Sequence, residues 1–414
     1  MGRGTAALAA AIATVGLATP AAAASPTTSR VSLDALTGAQ RNEPSWSPAI
    51  SANGNLVAYQ TLAPDYNGDR VPKTDVYLFD RAAQHTEWIS VSWNGLPGNG
   101  SSFGPSLSGD GRFVAFSSDS NTLRPEDTGK NSAVFVRDRQ TGALERMADP
   151  RVPKAPAWDA SISGDDRYVA YTTEWSRASI DGHWRQDVLL HDRQTGETEV
   201  ISPHGRTPVD SSQPSVSANG RFVAYVFGGG VYVRDRERGT TEAMSGGTGP
   251  STSPAISASG RYVAFAAAGK RRVDSPYYEL AGDVWVRDRQ TGRLDLISAA
   301  RGGARGNGVS GGPSISPDGR YVSFTSYADD LIANDTNDAA DVFVRDRRTG
   351  TTRRVSISTA RAQGNGESAA PFAQLQSSLS AGGRFVAFFS GASNLVPGDT
   401  NDAVDVFARG PLTP

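Results

Sequence analysis

Short apolar runs recur along the chain, and each follows a tight-turn signal. The run F-V-A-F at 113–116 follows Asp110-Gly111, and its copies centre on seven valines: Val57, Val114, Val169, Val223, Val263, Val322 and Val386. Short runs rich in Val, Phe and Tyr that follow Asp-Gly or Asn-Gly are typical of β-strands joined by hairpins. The runs are apolar on both faces, which indicates sheets covered on both sides. The pattern predicts an all-β protein.

The spacing of the copies identifies the repeating unit. Neighbouring copies lie 40 to 64 residues apart, which suits one four-stranded propeller blade. Each unit contains a P-S-I-S-like run, the F-V-A-F run, a variable insertion, a D-V-F-V-R-D-R run, a Q-T-G turn and a last short run. Seven units predict a seven-bladed β-propeller, in which each blade is covered by its two neighbours.

The seventh unit ends in DVFARGPLTP and lacks a fourth strand. Near the N-terminus, RVSLDALTGAQRNE resembles RRVSISTARAQGNG, which is the fourth strand and exit loop of the sixth unit. We therefore expect Arg30–Thr37 to pair with Asp405–Ala408 and to close the last blade. Closure would remove exposed sheet edges. The alternative is an open solenoid, a class that usually carries capping repeats.

Two stretches of the sixth unit carry a family resemblance. SISPDGRYVSFTS and the following DVFVRDRRTGTTRRVSIS resemble the TolB-type propeller repeat, a WD-repeat-like unit, and the resemblance extends over about residues 30–414. TolB itself is a periplasmic adaptor with an additional N-terminal domain and usually six blades, whereas we count seven units here. The resemblance implies a propeller fold, and the family pattern has no catalytic residues to transfer.

The N-terminal segment indicates export. Arg3 precedes an Ala-rich apolar stretch, and Ala22-Ala23-Ala24 fits a signal-peptidase site. We predict a signal peptide at 1–24 and a single propeller domain at 25–414; the alternative for 1–24 is an alanine-rich tail. The chain has no cysteine and a net charge of −2. We therefore expect a secreted protein without disulfides, lipid anchor or transmembrane segment, and no nucleic-acid partner.

The inner runs offer little catalytic chemistry. They read SPAIS, GPSLS, DASIS, QPSVS, SPAIS, GPSIS and QSSLS, with Asp159 as their one charged residue. Ser310 in GVSGG fits a nucleophile-elbow spacing but lacks the strand-to-helix context that this motif needs. We predict a non-enzymatic binding or scaffold propeller that is a monomer. The alternative is a hydrolase or lyase acting on extracellular glycans.

Aromatic residues mark the candidate ligand surface. The loops after the second and fourth strands of every blade share one face, which we call the top face. We predict binding there by tryptophans near the loops of blades 1 to 3 and by one histidine, namely Trp46, Trp93, Trp158, Trp175, His183 and Trp184. Indole rings can stack on sugars or peptide side chains, so the expected partner is a protein, a peptide or a cell-wall glycan. The alternative is that these tryptophans pack neighbouring blades together.

Three acidic loops are candidate calcium sites. Carboxylate and amide oxygens alternate in NDTNDAADVF, GDTNDAVDVF and DYNGDRVPKTD, and such oxygens are what Ca²⁺ prefers. The candidate ligands are Asp335, Asn337 and Asp341; Asp399, Asn401 and Asp405; and Asp65, Asn67, Asp69 and Asp75. The alternative is that Asp and Asn only stabilise the turns. We expect no required cofactor, and any bound Ca²⁺ is expected to be structural.

Overall fold

Seven antiparallel sheets of four strands each form the ring of a β-propeller. The computed structural model describes residues 25–63, 73–126, 131–152, 154–175, 185–202, 209–268, 282–369 and 377–412. Predicted residues Asp65, Asn67, Asp69, His183 and Trp184 lie outside these ranges. Within them, the one helical element is a 3₁₀ turn at Ala381–Gly383. No helix of the described part has the length and apolar character to cross a membrane.

Each blade runs from an inner strand at the ring axis to an outer strand, in sequence order. The strands of blades 1 to 3 are β2 (Ser45–Ile50), β3 (Leu56–Ala63), β4 (Lys73–Asp80), β5 (His85–Trp88), β6 (Ser102–Leu107), β7 (Phe113–Ser118), β8 (Ala133–Asp138), β9 (Leu144–Met147), β10 (Ala157–Ile162), β11 (Tyr168–Trp175), β12 (Arg185–Asp192) and β13 (Thr198–Val200). Those of blades 4 and 5 are β14 (Ser211–Val216), β15 (Phe222–Phe227), β16 (Gly230–Asp235), β17 (Thr240–Ala243), β18 (Ser251–Ile256), β19 (Tyr262–Ala268), β20 (Gly282–Asp288) and β21 (Leu294–Leu296).

Blade 7 takes its outer strand from the N-terminal part of the chain. Blade 6 and blade 7 contain β22 (Ser310–Ile315), β23 (Tyr321–Ser326), β24 (Asp341–Asp346), β25 (Thr351–Arg354), β26 (Ser378–Leu379), β27 (Val386–Ser390), β28 (Asp405–Gly410) and β1 (Thr27–Arg30). The order of the last sheet is β26-β27-β28-β1. The predicted closure of the ring by an N-terminal strand is confirmed.

The predicted bounds of the closing strand were wrong. The strand covers Thr27–Arg30 instead of Arg30–Thr37, and Arg30 pairs with Phe407. The backbone pairing stops where the amide of Val406 donates to the Ser32 side-chain hydroxyl, at 3.1 Å, instead of to a backbone carbonyl. Beyond this point the chain turns into a loop, so that Val31 is fully buried whereas Leu36 is 96% exposed.

The core consists of apolar layers between successive blades. In one such layer, Ala58 and Leu78 of blade 1 pack with Val114 and Phe116 of blade 2, and all four are fully buried. The Phe116 ring also stacks on Phe135 of the same blade, with centroids 5.9 Å apart. Each F-V-A-F run therefore has neighbours on both faces, which explains its lack of polar alternation.

The turn before the second strand has glycine in six blades, for two reasons, and Asp166 at a positive φ in blade 3. Gly220 has φ +70°, and a Cβ placed there would lie 2.0 Å from the Tyr168 ring of the preceding blade. A left-handed backbone and close contact with an aromatic ring both exclude larger residues. The Asn-Gly and Asp-Gly signals thus set the approach of neighbouring blades as well as the hairpin geometry.

Arginines recur because five of the seven repeats use them in fixed ion pairs. The arginine after the turn glycine forms a two-pronged bond to the aspartate of the V-R-D-R run, as in Arg112 with Asp138 at 3.0 and 2.7 Å. The same pairing joins Arg167 to Asp192, Arg221 to Asp235, Arg261 to Asp288 and Arg320 to Asp346. Paired forks of this kind fix side-chain geometry as well as charge. These arginines are part of the fold.

Candidate functional site

The inner strands surround a channel with a cavity of about 360 Å³ along the ring axis. Serine, proline and alanine provide most of its lining, as the sequence predicts. Several of the channel hydroxyls form hydrogen bonds between neighbouring blades. Ser106, Ser161 and Ser215 accept the amide N–H groups of Ile162, Val216 and Ile256, each in the next blade, at 3.1 to 3.2 Å.

The same contact continues around the ring. Ser314 accepts from the Leu379 amide at 3.3 Å, and Ser378 accepts from the Ile50 amide at 3.1 Å. Ala49 and Ala255 occupy the corresponding positions of blades 1 and 5 and have no hydroxyl. A hydroxyl that holds a neighbouring backbone N–H supports the closed ring. The serine-lined axis is therefore explained by blade-to-blade bonding.

A bulge interrupts the inner strand one step nearer the top face. In six blades the residue after the first paired segment has a positive φ, namely Ser47, Gly104, Asp159, Gln213, Ser253 and Gly312. The bulge amides of Gly104 and Ser253 donate to the side-chain oxygens of Gln60 and Gln213 in the preceding blade, both at 2.8 Å. Asp159 in turn accepts a bond from the Gln213 amide. The bulges at Gln213 and Ser253 are strained positions that take part in these cross-blade contacts.

Asp159 is the acidic group at the axis among the described lining residues. Burial raises the pKa of its carboxyl, whereas the Gln213 amide and the Thr172 hydroxyl, 3.3 Å away, act in the opposite direction. The Gln213 amide belongs to blade 4, so the Asp159 carboxylate connects blades 3 and 4. Ser310 begins β22 and is buried, with its hydroxyl 2.8 Å from that of Ser326.

Three exit loops end in Gly-Asn-Gly, a repeated pattern that the sequence analysis above does not use. The amide group of Asn99 donates to Asn121 Oδ1 at 2.6 Å, and its carbonyl accepts the Asn121 backbone N–H at 3.0 Å. Asn307 and Asn365 contact the second loop of the next blade in the same manner. These asparagines connect adjacent loops across the top face. The repeated G-N-G letters at 98–100, 306–308 and 364–366 were the available signal.

The predicted tryptophans occupy different environments. Trp93 is 62% exposed on the exit loop of blade 1, and Leu96 on the same loop is 60% exposed. Trp46 is half-buried against the core around blades 7 and 1, and Trp158 is half-buried on β10. Trp175 ends β11 and pairs with Arg185. Trp46 and Trp158 are therefore less exposed than Trp93.

The exposed apolar side chains lie on neighbouring loops. Leu36, Trp93 and Leu96 are the large hydrophobic residues that the described structure leaves exposed. Leu36 belongs to the loop that enters blade 1, and the other two belong to the loop that leaves it. We call these three residues the blade-1 apolar set. Single exposed apolar residues are ordinary, whereas a contiguous apolar patch marks an interaction site.

Both loops are held by internal hydrogen bonds. Asp34 Oδ1 accepts the amides of Leu36 and Thr37 at 3.1 and 2.8 Å, and these bonds lower the pKa of the Asp34 carboxyl. In the other loop, the Trp93 amide donates to the Leu123 carbonyl of blade 2 at 2.9 Å. The blade-1 apolar set is thus presented on ordered turns, which reduces the entropy lost when a partner binds.

Arginines occupy the two described candidate calcium loops. Arg354 lies 2.9 Å from Asp335 and 2.7 Å from Asp341, and the Asn337 amide donates to Asp341 at 3.2 Å. Both aspartates and the arginine are almost fully buried. Burial raises the pKa of Asp335, and Arg354 opposes that shift. The Arg354 guanidinium therefore places a positive charge between the carboxylates that the sequence predicts as Ca²⁺ ligands.

The second loop repeats this arrangement at the closure of the ring. Arg30 lies 2.9 Å from Asp399 and 3.1 Å from Asp405, while the Asn401 amide donates to Asp405 at 3.2 Å. Of the third set, Asp75 is described and accepts the Ser90 hydroxyl at 2.7 Å. Among the described residues, no group of three or more His, Cys, Asp or Glu side chains is arranged to hold a metal. Calcium binding stays a prediction.

The aspartates of these sets belong to a wider repeat. The serine 15 positions after the first aspartate of the third strand donates to it, as Ser90 does to Asp75, Ser202 to Asp187, Ser298 to Asp283 and Ser356 to Asp341. Each of these serines also accepts the amide of the valine that follows the aspartate. This pairing ends the outer strand. It accounts for Asp75 and Asp341 without a metal.

Comparisons with known proteins show the fold alone. No family model matches the chain, and no curated protein matches it. An oligogalacturonate lyase in complex with manganese aligns over 94% of this chain and 97% of its own, with 13% identity and a TM-score of 0.56. The β-propeller domain of the Trilobed protease from Pyrococcus furiosus aligns over 90% and 96%, with 15% identity and a TM-score of 0.54.

A TolB-like structure is also among the neighbours. A putative TolB from Agrobacterium tumefaciens aligns over 66% of this chain and 87% of its own, with 16% identity and a TM-score of 0.42. The seven four-stranded sheets confirm the predicted seven-bladed propeller, and TolB-like structures are among its structural neighbours. At these identities, similarity of fold leaves activity open.

Proposed function

We propose that this protein is an exported binding module that holds a protein, peptide or glycan partner on its top face beside blade 1. The observation that carries the proposal is the blade-1 apolar set. Leu36, Trp93 and Leu96 stand exposed on two ordered loops at either side of the same blade. A large indole on a pinned turn gives apolar contact area at small entropic cost.

The channel supports a scaffold role better than a catalytic one. Its serine hydroxyls hold backbone amides of neighbouring blades, and its carboxylate, Asp159, accepts bonds from Gln213 and Thr172. Glycan hydrolysis needs two carboxyl groups at a fixed separation across the substrate. The described residues that line the channel include one carboxyl group, that of Asp159. A rigid ring that carries a peripheral apolar surface is suited to recognition.

A capture experiment with a parallel activity assay tests this proposal. The purified protein is immobilised and exposed to culture supernatant and to cell-wall fractions, and retained components are identified. The same protein in solution is incubated with polygalacturonate and with cell-wall polysaccharides, and release of reducing or unsaturated ends is followed. Specific retention without turnover is expected. Steady release of product by the purified protein would replace the proposal with the glycan-lyase or hydrolase alternative.

A further inference from the structure

At four junctions of the ring, two arginines cover one aromatic ring and an acid holds each arginine. In blade 2 the guanidinium carbon of Arg112 lies 4.8 Å from the Phe113 centroid, and Arg112 bonds Asp138 at 2.7 Å. Arg193 of blade 3 lies 4.0 Å from the same centroid and bonds Glu145 of blade 2 at 2.7 Å. The same set of two arginines and two acids surrounds the rings of Tyr168, Phe222 and Tyr262.

The junction of blades 7 and 1 keeps both arginines but lacks the first acid. The guanidinium carbons of Arg81 and Arg384 lie 4.5 and 5.9 Å from the Phe385 centroid. Gly410 is the sixth residue of its strand, the position that Asp138 has in blade 2. A Cβ at Gly410 would lie 2.3 Å from the Phe385 ring, so an aspartate does not fit there without displacing the ring. Arg384 is exposed, and no ion pair joins it to an acid in the described part of the chain.

The second acid is also missing at this junction. On the outer strand of blade 7, Ser29 pairs with Ala408 in the register in which Glu145 pairs with Val136 in blade 2. The Ser29 hydroxyl lies 3.4 Å from the Ala408 carbonyl, to which it donates. A serine carries no charge, so the strand offers Arg81 no carboxylate where the equivalent arginine of blade 3 has one.

One edge of the Arg81 guanidinium is left without a hydrogen-bond acceptor. Its Nη1 donates to the Gly54 carbonyl at 2.7 Å, whereas its Nε is buried and has no partner among the described residues. The Nε and Nη2 of Arg193 donate to the two oxygens of Glu145, at 2.9 and 2.7 Å. Burial lowers the pKa of Arg81, and no acid of the described structure opposes this shift. A buried N–H without an acceptor costs about 1–3 kcal/mol, so this edge favours an added carboxylate.

The acid next to Arg81 in the sequence is engaged elsewhere. Asp80 Oδ1 accepts the side-chain amide of Asn55 at 2.8 Å and the backbone amides of Ala82 and Ala83 at 2.9 Å. These bonds hold the Asp80 carboxylate in the hairpin turn. The Phe385 ring therefore carries two cations that no acid of the described structure balances, and such a site attracts small anions.

We propose that Arg81 and Arg384 bind a short dicarboxylate, with one carboxylate on each guanidinium and the methylene groups against the Phe385 ring. A guanidinium edge matches the two oxygens of a carboxylate. Two carboxylates are also what four other junctions place beside the equivalent arginines. The site lies on the face opposite the top face. It is separate from the blade-1 apolar set and does not depend on the proposed function.

Ligand-observed NMR tests the site with succinate as the probe. Saturation transfer from the protein to the succinate methylene protons is measured at constant ionic strength, with neutral succinamide as the matched ligand. Ser29→Glu supplies the acid that other blades carry, and Arg384→Gln removes the exposed cation. Gln194→Glu and Arg348→Gln are the charge controls, because they change exposed hairpin residues of blades 3 and 6. Thermal unfolding of each variant is recorded to establish that it is folded.

The expected result is saturation transfer to succinate and not to succinamide. Ser29→Glu should abolish the transfer, because its own carboxylate would bond Arg81. Arg384→Gln should weaken the affinity for succinate about tenfold or more, while both controls should leave it unchanged. Absence of transfer in the wild-type protein, or equal transfer to succinamide, would overturn the proposal. So would a folded Arg384→Gln or Ser29→Glu that binds succinate as tightly as the wild-type protein; if Ser29→Glu does not fold, Arg384→Gln decides alone.

Discussion

The Ser32 hydroxyl donates a 2.6 Å hydrogen bond to the Asp405 carboxylate and joins residues 373 positions apart. The same hydroxyl accepts the Val406 amide, and Arg30 lies 3.1 Å from Asp405. The N-terminal strand therefore completes blade 7 through backbone pairing, a buried hydroxyl and an ion pair at one point. In blades 5 and 6 the same Ser–Asp hydrogen bond joins two strands of one continuous blade. Blade 7 forms this bond between its N-terminal and C-terminal strands.

Removal of residues 25–33 is predicted to lower the melting temperature strongly. The deletion exposes the edge of β28 and removes the fully buried Val31. Burial of a large apolar side chain contributes about 1.5–3 kcal/mol, against a total stability of about 5–15 kcal/mol. Leu36→Ala is the matched control, because this side chain is 96% exposed and should leave the melting temperature unchanged. A deletion variant that melts within a few degrees of the parent would refute the closure.

Arg354→Ala is predicted to destabilise the fold by about 3–5 kcal/mol, because it leaves Asp335 and Asp341 buried without a counter-charge. The measurement is chemical denaturation, with Arg348→Ala as the exposed arginine control. A loss below about 1 kcal/mol would show that the buried pair contributes no more than a surface one.

Calcium is predicted to stabilise Arg354→Ala more than it stabilises the wild-type protein. Without the guanidinium, Asp335, Asn337 and Asp341 offer the oxygen ligands that Ca²⁺ prefers. The melting temperatures of both proteins are compared in millimolar calcium and in chelator, since a ligand that binds only the folded state raises stability. An equal calcium effect on the two proteins would mean that Arg354 does not substitute for the ion.

The Arg320–Asp346 pair is predicted to stabilise the fold in a pH-dependent manner. Its hydrogen bonds from Arg320 lower the pKa of Asp346 to about 2, below the unfolded value of about 3.9. Because the folded-state pKa is the lower one, the contribution is complete above about pH 4 and is lost as the pH falls towards 2. The difference in unfolding free energy between the wild-type protein and Asp346→Asn should therefore shrink through this window. A constant difference from pH 7 to pH 2 would contradict the assignment.

The sequence predicted the repeat, the number of blades and the origin of the last strand, because turn glycines and apolar runs are local signals. The bounds of that strand were not predictable from alternation. RVSLD alternates like a strand, but Ser32 captures the Val406 amide and ends the ladder. The arginines beside the acidic loops were also beyond the sequence pattern. These loops contain the oxygens that a calcium site uses, and calcium binding stays a prediction, but the ion pairs with Arg354 and Arg30 come from other strands.

The exposure of individual tryptophans was also beyond the sequence. Trp46 and Trp93 both lie near top-face loops, yet the first packs against the core and the second is 62% exposed. The difference depends on contacts between blades, which no single repeat contains. Trp175, Trp184 and His183 of the third-blade insertion stay candidates, since the described residues do not include His183 and Trp184.

The affinity of the captured partner for a Trp93→Ala/Leu96→Ala variant tests the proposed function most directly. Arg348→Ala, on the face opposite the exit loops, is the control, and all proteins are first matched for melting temperature. A buried tryptophan at an interface typically contributes about 2 kcal/mol or more, so the dissociation constant should rise about thirtyfold in the double variant and stay unchanged in the control. A folded double variant that binds the partner as tightly as the wild-type protein would contradict binding beside blade 1.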